Sequence, residues 1–245
     1  MAKILAYPLS VIYYLCFGLT LVIFHITQWI CLNLFGYEAH KKSVSLLNWF
    51  LMRCVNLLGN RYTFEMNKNI PDDTPVIIVA NHQSLHDIPP IIWHMRKYHP
   101  KFISKIELGR GIPSVSYNLR HGGSVLIDRK NSEQALQAIK DFSQYIRKNN
   151  YAAVIFPEGT RSKNGKPKRF QISGLKLMFQ QIPEAVVVPI TINNSWKLFR
   201  YGNFPLGIGN HIKFKVHDPI KIAGQDISKL TQQIEQTIVK DISND

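Results

Sequence analysis

The chain has 245 residues, 45% of them apolar and 19% charged, with 30 basic against 16 acidic side chains for a formal net charge of +14. That is ample length for a sizeable core, and the composition excludes a disordered chain. Three cysteines, Cys16, Cys31 and Cys54, form no C-x-x-C pair; they exclude a zinc knuckle or disulfide scaffold and suit core or lipid-facing packing in a reducing compartment.

Charge is distributed unevenly. Residues 1–60 hold Lys3, Lys41, Lys42 and Arg53 against Glu38, whereas residues 61–245 carry 26 basic and 15 acidic side chains. Such a surface expects phosphate-bearing partners: nucleic acid, anionic lipid headgroups or a phosphorylated cofactor. From Ile4 to Tyr37 run 34 residues without Asp, Glu, Lys or Arg, more than the roughly 20 that cross a bilayer core. A signal peptide is not expected, because its apolar region is about 7 to 15 residues and ends in small residues. After the polar YEAHKK comes a second apolar stretch, Val44 to Leu58, broken by Arg53; it suits a helix lying in the membrane interface. Trp29, Trp49, Tyr7, Tyr13, Tyr14 and Tyr37 are amphipathic aromatics of the headgroup level. Residues 1–60 are therefore expected to be a membrane-anchoring helical pair, either one span or two helices dipping into one leaflet, and residues 61–245 a second domain.

Beyond residue 60, apolar runs rich in Val, Ile and Phe predict strands at 76–80, 101–104, 124–128, 152–156, 185–191 and 211–217. Leu136, Ile139, Phe142, Tyr145 and Ile146 recur at helical spacing behind a capping Asn131, and Leu230, Ile234, Ile238 and Ile242 form a second stripe. Strands alternating with helices predict an α/β fold, a mainly parallel mixed sheet flanked by helices, with functional loops at the carboxyl ends of the strands.

The first of those ends reads NHQSLHD, residues 81–87. His82 and His86 are four apart and would share a helix face, as in a zinc site, but Gln83 stands where an H-E-x-x-H protease needs its glutamate, and the other histidines are scattered singly. No metal site is expected. The alternative is His82 with Asp87: a carboxylate on Nδ1 fixes the tautomer and leaves Nε2 as a proton acceptor. On these residues alone, a capping aspartate beside a surface histidine is the reading to prefer.

A second strand end reads FPEGTRS, residues 156–162. The order N-H-x-x-x-x-D (Asn81, His82, Asp87), an I-D-R strand end (Ile127, Asp128, Arg129), F-P-E-G-T-R (Phe156 to Arg161) and V-P-I (Val188 to Ile190) resembles the lysophosphatidate acyltransferase family, as does the lysine block Lys105 to Leu108. The resemblance implies an enzyme that moves a fatty acyl group from a thioester to the sn-2 hydroxyl of 1-acyl-sn-glycerol-3-phosphate, giving phosphatidate for phospholipid synthesis, without a covalent acyl-enzyme. It makes His82 the base and Asp87 its orienting partner. Arg161 becomes the first candidate for the acceptor phosphate, with Lys105 and Arg129 as second choices. Thr160 belongs to the same substrate-binding turn, Glu158 is expected to accept from glycerol or to position Arg161, and Gly159 to let backbone approach the ligand. No cofactor is implied; acyl-CoA or acyl carrier protein serves as co-substrate, membrane phospholipids and lysophosphatidate as partners, and the catalytic domain faces the cytoplasm. The basic run RSKNGKPKR, residues 161–169, suits the donor's phosphates, an acidic carrier protein or anionic headgroups. Nucleic acid is not expected, since no recognition helix, zinc finger or aromatic RNA-binding pattern is present. Two other functions remain open: transfer to another lysolipid or aminoacyl-lipid acceptor, and a non-catalytic protein that binds anionic lipid.

Overall fold

A computed structural model describes residues 2–67 and 69–243. Helix α1 (Ala2–Phe35) contains all but the last two residues of the charge-free stretch, and α2 (Tyr37–Asn56) doubles back after Gly36, whose φ of +78° only glycine adopts freely. α2 starts earlier than its apolar run, taking in YEAHKK with Glu38 in the first turn and Arg53 in the last, each complementing the helix dipole.

Strands β1 (Arg61–Glu65), β2 (Val76–Ala80), β3 (Pro100–Lys105), β4 (Val125–Ile127), β5 (Ala152–Ile155), β6 (Val186–Asn193), β7 (His211–Val216) and β8 (Ile220–Lys221) form one sheet in the order β1-β7-β6-β2-β5-β3-β4, with β8 on β6. β6 runs antiparallel to β7 and β8; the other pairs are parallel. The sheet is thus mixed and mainly parallel, as expected. Strands β1 and β8 were not legible: RYTFE has no apolar run and lies half-open at an edge, held by its register with β7 from Arg61↔His211 to Glu65↔Lys215.

The central strand β2 is buried at every position, the pattern of a strand covered on both faces. Its Val76, Ile78 and Ala80 pack into a core shared with α1, α2 and α3 (Ile88–His94), including Tyr13, Val55, Leu58 and Ile91. Ile77 and Val79 face the other way, into a core with α5 (Ser132–Asn149), α6 (Ile172–Gln181) and α7 (Ile227–Lys240). α5 starts on Asn131, whose Oδ1 accepts from the Gln134 N–H at 3.0 Å; α7 starts on Asp226, whose Oδ1 accepts from Lys229 N–H at 2.8 Å. Leu230, Ile234 and Ile238 are fully buried, but Ile242 of the expected stripe falls beyond the end of α7. A short α4 (Val115–His121) joins β3 to β4.

This topology gathers the carboxyl ends of β2, β5, β3 and β4 side by side. Extending the β3–β5 register beyond Phe102↔Val154 sets Lys105 level with Pro157, and His82 follows two residues after β2 ends.

Candidate active site

The loop leaving β2 is held by its own polar side chains. Asn81 imitates a further ladder pair, donating to the Ile192 carbonyl at 2.9 Å and accepting from the Ile192 N–H at 2.7 Å. Gln83 accepts from the Ser195 N–H at 3.0 Å. Ser84 caps the short turn Leu85–Asp87, its hydroxyl accepting from the His86 N–H at 3.0 Å. Asp87, completely buried, uses Oδ2 three times: it accepts from the N–H of Gln83 at 2.7 Å, from that of Ser84 at 2.9 Å, and from His82 Nδ1 at 2.8 Å.

A carboxylate only accepts, so His82 carries its proton on Nδ1, and its Nε2 makes no hydrogen bond among the described residues. The ring lies on Phe156, with centroids 4.2 Å apart and planes 20° apart, and its side chain remains 16% exposed. The geometry is that of a fixed base with one face packed and one nitrogen open. His86 does not join it. That imidazole is buried, takes the Tyr13 hydroxyl at 3.0 Å through Nε2, and burial pulls its pKa down to about 4. The two rings of the expected shared helix face therefore serve different partners.

The second loop is fastened to the first. Glu158 is 5% exposed and accepts from the backbone N–H of His82 at 2.9 Å through Oε1 and from that of Lys168 at 3.1 Å through Oε2. Both oxygens hold loops together, and neither pairs with Arg161 among the described residues. Burial raises its pKa despite those N–H donors. The Ser162 N–H returns a bond to the His82 carbonyl at 2.7 Å, so the base residue is gripped at both its backbone groups and its ring.

Gly159 sits at φ +69°, with open space where a Cβ would project, so a left-handed turn, and not close packing, is what requires glycine here. Its carbonyl accepts from Arg129, which reaches across from the end of β4 and fixes the turn. Thr160 is exposed and accepts from Lys168 Nζ at 2.8 Å. Arg161 and Lys105 are exposed at the same end of the sheet, and neither pairs with a carboxylate among the described residues. Three members of this assembly escaped sequence reasoning: Phe156 as the ring's support, Ser162, and Lys168 as a partner of Glu158 and Thr160.

Fold and site together define an α/β protein with a histidine–carboxylate pair at the carboxyl ends of parallel strands, its outer ring nitrogen unpaired among the described residues. A family model described as Acyltransferase matches residues 61–193, more than half of the chain, and the chain belongs to that family. It is 26% identical over 204 residues to a 1-acyl-sn-glycerol-3-phosphate acyltransferase of Cocos nucifera, covering 83% of this chain and 60% of that one. To the enzyme of the same name from Helicobacter pylori it is 35% identical over 126 residues, half of each chain. The alignments thus span only 50 to 60% of these relatives' own lengths. The crystal structure of the 1-acyl-sn-glycerophosphate (LPA) acyltransferase PlsC from Thermotoga maritima superposes with a TM-score of 0.81 at 26% identity, over 99% of this chain and 96% of that one.

Proposed function

We propose that the protein is a 1-acyl-sn-glycerol-3-phosphate O-acyltransferase. The observation that carries this reading is the His82–Asp87 pair, locked by backbone donors and open at Nε2. His82 Nε2 takes the proton of the acceptor's sn-2 hydroxyl as that oxygen attacks the thioester carbonyl; Asp87 stabilises the imidazolium that forms. Collapse of the tetrahedral adduct breaks the C–S bond, and His82 returns its proton to the departing thiolate. Direct transfer is favoured by the state of Ser84, whose buried hydroxyl is engaged with the His86 N–H and with Ser195 Oγ and so is no free nucleophile. Arg161, with Lys105 beside it, supplies cations for the acceptor phosphate, and the exposed Lys163, Lys166 and Arg169 face the phosphates of acyl-CoA or an acidic acyl carrier protein.

The same reading places the protein on a membrane, with its body on the cytoplasmic side and α1 lying along the interface. α1 is the one helix among the described residues that is long and apolar enough to cross a bilayer. Its inner face, however, is bonded to the body from end to end: Ser10 accepts from Leu206 N–H at 2.8 Å, His25 from Ser114 N–H at 3.2 Å, and Asn33 donates to Tyr117 at 3.3 Å. Ser10 to Asn33 is ~35 Å of helix at 1.5 Å per residue, longer than the roughly 30 Å hydrocarbon core, so a helix fastened over that length lies flat with Leu15, Leu19 and Ile26 turned outward.

The experiment is acyl transfer by purified protein in mixed micelles, offering acyl-CoA and acyl carrier protein thioesters against a panel of lysolipids. Phosphatidate formed from lysophosphatidate in preference to lysophospholipids with capped phosphates is the expected result. Preference for another acceptor redirects the assignment of Arg161 and Lys105, and no transfer to any acceptor removes the reading.

A further inference from the structure

A second polar pocket lies at the amino end of β3, the opposite end of that strand from Lys105 and about 13 Å away at 3.3 Å per residue. Its walls include His40 and Lys41 of α2, His99 and Lys101 at the start of β3, and Asn118 of α4, with the exposed Arg96 at its mouth. No acidic side chain among the described residues lines it. Glu38 at the rim is paired with Lys41 at 3.6 Å. The interior holds about 30 Å³, space for two waters or one small anion at roughly 10–15 Å³ for each water.

His40, His99 and Lys101 are 1%, 6% and 4% exposed. The Lys101 ammonium donates to the Tyr37 hydroxyl at 2.6 Å, to His99 Nε2 at 2.8 Å and to the Gly122 carbonyl, three neutral acceptors and no counter-ion. Burial, with Lys41 nearby, draws its pKa down to about 7. Since His99 accepts on Nε2, its proton sits on Nδ1, and that nitrogen has no partner; neither ring nitrogen of His40 has one either. His99 Nδ1 and the two ring nitrogens of His40 are three of the eight buried, unpartnered side-chain polar atoms among the described residues. Buried polar groups without partners are rare because each costs its desolvation. Unpartnered imidazole nitrogens beside an ammonium that bonds no carboxylate are complemented by a ligand that brings several acceptor oxygens and negative charge.

We propose that this pocket binds a phosphate group, free or carried on a lipid headgroup, independently of the reacting site. A tetrahedral oxyanion meets Lys101 and the two imidazoles with its inner oxygens and Arg96 and Lys41 with its outer ones, a division a planar carboxylate cannot make. The test is thermal unfolding of the full chain in sodium phosphate against sodium chloride of equal ionic strength. Phosphate is expected to raise Tm by about 3–6 °C beyond the chloride control. Arg96→Ala and Lys101→Met are each expected to abolish that rise, and Arg161→Ala, which disables phosphate capture at the reacting site, to leave it. Should Lys101→Met fail to fold, Arg96→Ala carries the test, because its side chain is exposed. Sedimentation with phosphatidylglycerol vesicles against phosphatidylcholine vesicles separates the two sources: a headgroup ligand shows as binding lost in Arg96→Ala without an orthophosphate effect, and a free-phosphate ligand as the reverse. A rise matched by chloride, or one abolished by Arg161→Ala and indifferent to Arg96→Ala, with vesicle binding equally indifferent to Arg96→Ala, overturns the proposal.

Discussion

Strand β3 carries a lysine at each end, in opposite circumstances. Lys105 is exposed at the carboxyl end, next to loops in which each buried carboxylate is answered by backbone N–H donors. Lys101 is buried at the amino end, beside imidazole nitrogens that lack partners and with no carboxylate lining its pocket. The difference teaches where order comes from. At the carboxyl end the chain supplies both halves of each polar pair, so the base is set before substrate arrives. At the amino end it supplies one half only, and the other half has the chemistry of a ligand.

The comparison breaks first at His82. His82→Ala removes the one open base at the carboxyl end and is expected to lower kcat by about 10²–10⁴. Lipid binding and Tm are expected to change little, since Asp87 keeps two backbone donors. Turnover at the wild-type rate in purified His82→Ala would reject the proposed base.

Glu158→Gln comes next. The glutamine presents one acceptor and one N–H₂ to two backbone donors, so one of the bonds to His82 or Lys168 is replaced by a clash of donors. A loss of about 1–3 kcal/mol in stability and roughly tenfold in kcat are expected, with the acceptor KM nearly unchanged. A rise in KM alone, with Tm unaltered, would mean that Glu158 touches the acceptor after all.

Both ends of the sheet hold an imidazole kept neutral by burial, His86 with a pKa near 4 and His99 near 3. In the unfolded chain each binds a proton below about pH 6.5, whereas the folded protein resists protonation until near pH 4. Their folded pKa values lie below the unfolded one, so stability is complete above pH 6.5 and is lost as pH falls from there towards 4. His86 alone accounts for about 2 kcal/mol between pH 8 and pH 5. Urea unfolding at those two values measures it, and His86→Phe is expected to flatten that part of the profile; an identical slope in the variant assigns the loss elsewhere.

What the sequence disclosed about these regions follows the distance over which each feature is decided. The His82–Asp87 pair is legible because five residues at a strand end fix it, and the strands around it because buried parallel strands read as unbroken apolar runs. The task of Glu158 is not legible: its partners are a backbone N–H 76 residues earlier and another ten residues later, and no side-chain pattern records a main-chain donor. Arg129 reads as a phosphate ligand, and its bond to the Gly159 carbonyl becomes visible only in the fold. Lys101 is hidden by its neighbours: in PKFIS it stands where a strand shows its solvent face, and only the closure of α2 and α4 over the start of β3 encloses it.

The smallest expected effect returns to the two lysines. Lys105→Met removes an exposed charge that has no carboxylate partner among the described residues, so folding stability is expected to stay within about 0.5 kcal/mol. On the proposed function, an exposed ammonium is screened by water and shares the acceptor phosphate with Arg161. KM for lysophosphatidate is therefore expected to rise only about two- to fivefold, with kcat unchanged, and the difference from wild type to shrink as salt shortens the Debye length from about 10 Å at 0.1 M to about 3 Å at 1 M. Initial rates across that salt range decide the matter. A fall in kcat that salt does not alter would place the Lys105 ammonium in direct contact with the reacting groups, and the carboxyl end of β3 would then hold a buried, matched cation when substrate is bound, the arrangement its amino end lacks.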